Sequence, residues 1–109
     1  MISLDEARII ASNYLTSMER AGSVDLALMD DQTLEKDFGW IFFYNAKDFI
    51  KSGDYRDLLV GNAPLIVDRT NGAIHVTGTG MPVEHYVEQY RKHGTPNPGE
   101  IKGDAAEWH

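Results

Sequence analysis

Apolar and polar positions along this chain alternate with two different periods. Leu4, Ala7, Ala11, Tyr14, Leu15 and Met18 recur at helical spacing and define one apolar face. Ser3 and Glu6 form an S-x-x-E capping box in front of them, Asp5 and Glu6 favour the positive helix end, and Gly22 is a natural terminator. The spacing predicts a helix from Leu4 to Arg20. Val24, Leu26 and Leu28 then alternate with Asp25, Ala27 and Met29, the pattern of a half-buried strand. A polar connection, Asp30 to Asp37, leads to the densest apolar stretch, Trp40-Ile41-Phe42-Phe43-Tyr44. Aromatic and β-branched residues at successive positions predict a central strand covered on both faces, or one with an exposed, adhesive face.

The next segment, Asn45 to Gly61, is mixed, with Asp54 placed to cap a short helix through Leu59. Gly61-Asn62-Ala63-Pro64 is a turn. Leu65-Ile66-Val67 and Ile74-His75-Val76 flank Asn71-Gly72, a strong hairpin signal. Pro82 suits the first position of a last helix, whose buried stripe is Val83, Tyr86, Val87 and Tyr90. Glu84 near its start and Arg91, Lys92 and His93 near its end match the helix dipole, and Gly94 closes it. The expected fold is α+β: a mostly antiparallel four-stranded sheet packed by two long helices, with a short helix between the strand pairs. Residues 1–94 form the domain. Residues 95–109 hold breakers at Pro96, Pro98, Gly99 and Gly103 and little apolar material beyond Ile101 and Trp108, so they read as an extended or disordered tail.

Charge narrows the function classes. Seventeen carboxylates against ten Lys and Arg give 109 residues a net charge of −7. That balance repels nucleic acid and anionic membranes and favours a basic partner. Absence of cysteine rules out disulfides, thiol catalysis and Cys-based zinc sites. No apolar run reaches the length of a membrane span, and Met1 to Glu6 has no basic n-region, so neither a span nor a signal peptide is expected.

Catalytic patterns find little support. Ser3, Ser12, Ser17, Ser23 and Ser52 lie at a cap, in or beside the first helix, or in a loop, and none sits in a G-x-S-x-G elbow. His85 and Glu88 are one helical turn apart, but off the apolar stripe, where a solvated face explains them. His75 alternates with Ile74 and Val76 and is expected to point off the core. Gly78-Thr79-Gly80 lacks the lysine and spacing of a phosphate loop. No catalytic residue, metal site or cofactor is therefore expected. Asp30, Asp31, Asp54 and Asp57 are the visible acidic clusters at turns or helix starts, and with Trp108 of the tail they are the candidate partner-binding residues. Trp40, Phe42 and Tyr44 share one strand face, either as core or as an aromatic ledge for a partner.

Several motifs together resemble a known family. They are Phe38-Gly39-Trp40-Ile41-Phe42-Phe43-Tyr44, then Gly61-Asn62-Ala63-Pro64-Leu65-Ile66-Val67-Asp68-Arg69, then Asn71-Gly72, then Thr79-Gly80-Met81-Pro82-Val83-Glu84-His85-Tyr86 with Tyr90-Arg91. With the helix beginning Leu4-Asp5-Glu6-Ala7, they resemble the YrhB-type domain, or immunity protein 35, of bacterial toxin–immunity systems. The resemblance implies a cytoplasmic protein that protects its producer by binding a cognate toxin, with a chaperone-like holdase as the alternative; a small-ligand binder or enzyme is the third reading. It supplies no catalytic residues. A helix, two strands and Asp68-x-x-x-Gly72-x-Ile74 are also similar to peptidase-inhibitory PepSY-type modules, which would imply a peptidase toxin. The toxin's identity, the contact face and the oligomeric state are not legible in the residues.

Overall fold

The computed structural model describes residues 1–19, 25–60 and 62–97. Helix α1 (Leu4–Glu19) begins at the predicted capping box, and its bonds are reciprocal. Ser3 N–H donates to Glu6 Oε1 at 2.9 Å and Glu6 N–H to Ser3 Oγ at 3.2 Å. Ala7, Ala11 and Leu15 are buried, with Tyr14 and Met18 packed beside them, while Leu4 is largely exposed. Gly22, Ser23 and Val24 lie outside the described residues.

Six strands follow among the described residues: β1 (Leu26–Leu28), β2 (Leu34–Lys36), β3 (Gly39–Phe42), β4 (Tyr44–Ala46), β5 (Leu65–Asp68) and β6 (Ile74–Val76). The four-stranded antiparallel sheet has the order β2-β3-β5-β6, and β1 pairs with β4 in a second, two-stranded one. Only Phe43 separates β3 from β4, and its carbonyl accepts from Met29 N–H at 2.8 Å. The stretch Gly39–Ala46 therefore acts as one bent strand. Its first half pairs with β2 and its second half with β1. A 3₁₀ turn, Asp30–Gln32, joins those two partners. Strand β2 lies inside the segment expected to be a polar connection. One half-buried apolar residue, Leu34, and cross-strand bonds to β3 suffice to make it a strand.

Period-two alternation sorts the sheet into two faces. Trp40, Phe42, Leu65 and Val67 pack with α1, Leu26, Leu28 and Tyr44, whereas Ile41 and Ile66 pack with Val87 and Tyr90 of α3 (Val83–His93). The sheet is thus covered on both faces, and the aromatic strand is core on both. Trp40, Phe42 and Tyr44 are at most 6 % exposed, which removes the ledge reading. Gly39 has φ +151°, and a Cβ there would lie 2.0 Å from the Val67 carbonyl oxygen, so β3 and β5 can pair closely only with glycine at this position. The β5–β6 hairpin turns at Gly72, with φ +73°, as Asn71-Gly72 predicts.

Pro82 precedes α3 as its cap residue rather than occupying the first helical position, and Gly94 closes the helix with its N–H on the Tyr90 carbonyl. Beyond it, Pro96 is buried and Asn97 Nδ2 donates to the Val76 carbonyl at 3.1 Å, so residues 95–97 dock beside β6. No helix among the described residues is long and apolar enough to cross a membrane.

Candidate functional site

The segment after β4 differs from the rest of the molecule. Helix α2 (Lys47–Ser52) is a single short piece closed at Gly53, and a 3₁₀ turn, Tyr55–Asp57, follows. Six helical residues cannot hold themselves in water, so tertiary bonds must place them. Lys47 N–H donates to the Asp25 carbonyl at 2.9 Å, which ties the start of α2 to the chain entering β1. Asn45 is buried and joined to Leu59 by two hydrogen bonds: its Oδ1 accepts from Leu59 N–H at 2.9 Å and its Nδ2 donates to the Leu59 carbonyl at 3.0 Å. Asn62 Nδ2 donates to the same carbonyl, also at 3.0 Å. The loop is thereby pinned to β4 at one residue.

Pinned in this way, the segment presents apolar side chains to solvent. Tyr55 is 81 % exposed, Val60 77 % and Ile50 41 %. The Phe49 and Tyr55 rings lie 6.3 Å apart, tilted against each other. Beside α2 opens a groove of about 490 Å³ lined by Leu28, Met29, Asp30, Asp31, Phe49, Ile50 and Gly53. A more polar groove of about 390 Å³ adjoins it across Leu28 and Asp30, which line both, and carries Arg8, Ser12, Thr16, Glu19 and Lys47.

The four candidate aspartates divide between these surroundings. Asp30 is committed to Arg8 through two bonds, Nε to Oδ1 at 2.7 Å and Nη2 to Oδ2 at 2.6 Å. The Arg8 hydrogen bonds hold its carboxyl below the ordinary carboxylate range, against the opposing effect of burial. Asp31 is exposed, lines the larger groove and has no side-chain partner among the described residues. Asp54 caps the second 3₁₀ turn, accepting from Arg56 N–H at 2.9 Å and from its guanidinium at 2.7 Å, and the guanidinium bonds, ahead of the backbone one, lower its carboxyl pKa. Asp57 accepts from Ser52 Oγ at 3.0 Å. Asp30 and Asp31 thus share a groove, while Asp54 and Asp57 serve local turn geometry. Trp108 lies outside the described residues.

Elsewhere the titratable groups support the fold. Tyr90 donates to Asp68 Oδ2 at 2.5 Å under α3, and the His75 ring stands edge-on to Tyr90 at 5.1 Å. His75 therefore faces α3 rather than pointing away, because Ile66 pairs with it and carries it to that side of the sheet. His85 and Glu88 are exposed on α3. Among the described residues no three His, Asp or Glu side chains gather as a metal set would require.

Comparison with known proteins decides the family. Residues 5–93 match the profile described as Immunity protein 35. The chain belongs to the immunity protein 35 family. It is 44 % identical over 90 residues to "Uncharacterized protein YrhB" of Escherichia coli (strain K12), covering 83 % of this chain and 89 % of that protein. No solved structure matches the chain.

In this immunity protein 35 chain the motif residues prove to be architectural. Asn62 holds Leu59 and Tyr44 by their carbonyls. Asp68 binds Tyr90, and the Tyr86 hydroxyl accepts from Met81 N–H at 3.2 Å. A Cβ at Gly78 would lie 2.6 Å from that hydroxyl and displace it, so Gly78-Thr79-Gly80 packs as a turn leading into α3. Gly61 lies outside the described residues. The exposed Ile50, Tyr55 and Val60, with half-buried Met29 and Phe49 beside them, escaped the reading of the sequence. The available signal was Phe49-Ile50, two large apolar residues in a piece too short to form a buried stripe.

Proposed function

We propose that this chain neutralises a cognate toxin by stoichiometric binding, without turnover, through the α2 segment and the groove beside it. The observation that carries this reading is the exposure of Tyr55, Val60 and Ile50 on a loop pinned by Asn45 and Asn62. Large apolar side chains left in water at a fixed position fit a preorganised contact, since aromatic anchors dominate binding energy and rigid loops lose little entropy on docking. Family membership makes a toxin the natural partner. The net charge of −7 favours a basic contact face on that partner and disfavours nucleic acid and anionic membranes, and family membership supports action in the cytoplasm of the producing cell.

The test mixes the purified product of the adjoining reading frame with this protein over a range of ratios. Neutralisation should be complete near one-to-one, and excess toxin should stay active below that ratio. Several toxin molecules inactivated per molecule of this protein would refute binding as the mechanism. Association should also slow as salt rises, because rim charges steer encounter. The same exposed residues could serve a holdase. That reading requires suppression of aggregation of unrelated proteins, which the proposed function does not.

A further inference from the structure

We propose that the groove beside α2 receives a mixed apolar and basic element of the toxin: one apolar side chain seated between Met29, Phe49 and Ile50, with a neighbouring lysine or arginine held at Asp31. This rests on the immunity reading and specifies its contact chemistry.

Three features of the lining select that occupant. Its apolar part, Leu28, Met29, Phe49 and Ile50, favours burial of an apolar side chain. Its charged side chains are Asp30 and Asp31, with no cation among the lining residues. Asp30 is neutralised by Arg8, which leaves Asp31 as the uncompensated charge at the groove among the described residues. At about 490 Å³ the groove also exceeds a single side chain, so the aliphatic stem of a lysine or arginine can lie along it with the charged head at Asp31. An acidic segment is disfavoured by the same carboxylates. A second copy of this chain is disfavoured as well, because it would bring another surface of a protein of net charge −7 against the groove. The adjoining groove, with Arg8 and Lys47 in its wall, lacks this selectivity.

The first experiment needs no toxin. The isotope-labelled full chain is titrated with phenethylammonium, which joins an aromatic ring to a cation, and in parallel with 3-phenylpropionate, its anionic counterpart. Saturable amide shifts are expected at Met29–Asp31 and Phe49–Gly53 with the cation alone. Asp31→Asn should weaken that binding about two- to fivefold, as for a solvent-screened ion pair, and salt should do the same. Equal response to both probes, or response to neither, overturns the proposal.

The second experiment uses the purified product of the adjoining reading frame as the candidate toxin. Ile50→Arg places a bulky cation at the groove on a residue already partly in water, so the fold should be retained, as its unchanged melting curve would verify. Loss of neutralisation at one-to-one is the expected result. Full neutralisation by Ile50→Arg, with the native chain also protecting, overturns the groove as the contact while leaving the immunity reading intact. Failure of the native chain itself to neutralise overturns that reading and the toxin assignment together, and it is distinguished by the probe titration still succeeding.

Discussion

Trp40 and Tyr55 are both large aromatics on short elements of one small domain, yet Trp40 is 5 % exposed and Tyr55 81 %. The difference is not in the side chains but in the layers around them. β3 lies between α1 and α3, so alternate residues of a short apolar run are covered from opposite sides. Among the described residues the segment 47–60 has no covering layer. Apart from Leu59, which packs against the core, it is held by backbone and asparagine bonds, which fix its course while leaving Ile50, Tyr55 and Val60 in solvent. A hydrophobic residue in the sheet therefore works for the fold, and the same kind of residue on the pinned loop is free to work for a partner.

The sharpest way to break this contrast is Trp40→Ala. Trp40 fills the α1 side of the sheet and lies under the Arg69 guanidinium, 4.8 Å from its ring. Removing it should cost about 3–5 kcal/mol, from lost transfer and the cavity left behind. Chemical denaturation measures this directly. That cost is comparable with the whole stability of a small domain. A mutant that melts like the native chain would contradict the layered core.

A smaller effect probes the α3 side. Tyr90→Phe keeps the ring but deletes the bond to Asp68 and should cost about 1–2 kcal/mol near neutral pH. Burial pushes the Tyr90 phenol well above its ordinary 10.0, and the bond and charge of Asp68 push it further. Burial opposes ionisation of Asp68, but bonds from Tyr90 and from Thr70 outweigh it, so its carboxyl lies below the ordinary 3.8. Stability from Asp68 is therefore present above 3.8 and lost as pH falls through the lower folded value. Stability also declines as pH rises past 10.0, where the unfolded phenol ionises and the folded one resists. In Tyr90→Phe the acid limb should become shallower and the alkaline contribution should vanish. Stability-versus-pH curves of the two proteins check both limbs.

The C-terminal boundary gives a milder test. Truncation after Gly94 removes buried Pro96 and the Asn97–Val76 bond, and should cost about 1 kcal/mol. Truncation after Asn97 retains both, and the breaker-rich composition of 98–109 predicts no loss of stability. Equal melting temperatures for the two truncations would place the boundary at Gly94, where the helix ends.

These tests also mark where the sequence was legible. Local signals gave correct local structure: the Ser3–Glu6 box, the Asn71-Gly72 hairpin and the Gly94 stop each act within a few residues. Asp54 does act as a cap, but of the 3₁₀ turn Tyr55–Asp57 rather than of a helix through Leu59, and the short helix lies earlier, at Lys47–Ser52. β2 was hidden because Leu34-Glu35-Lys36 offers one apolar residue, and its strand character comes from β3. His75 was misplaced for a related reason: strand alternation gives two faces but not which of them a helix will cover. The groove was partly legible. Asp30-Asp31 stands out as a charge pair, but its meeting with Phe49 and Ile50 depends on β1 pairing with β4, a contact between segments far apart in sequence.

The smallest expected effect on stability carries the most functional weight. Tyr55→Ala removes a side chain that is 81 % exposed and whose ring contact is the tilted approach of Phe49 at 6.3 Å. Substitution at such a surface position usually changes stability by less than about 0.5 kcal/mol. Asp54 still caps the turn through Arg56 N–H, and Asn45 still holds Leu59, so the loop should keep its course. If Tyr55 is an anchor, its loss from a contact should cost about 2 kcal/mol or more of affinity, roughly a thirtyfold rise in Kd. Melting curves and affinity for the toxin, measured on the same preparation, separate the alternatives. Unchanged melting with weakened binding assigns Tyr55 to the partner. Lowered melting would show that Tyr55 supports the loop itself, and the contrast with Trp40 would then be one of degree. Unchanged melting with unchanged affinity would move the contact away from the 3₁₀ turn and leave the groove beside α2 to carry it alone.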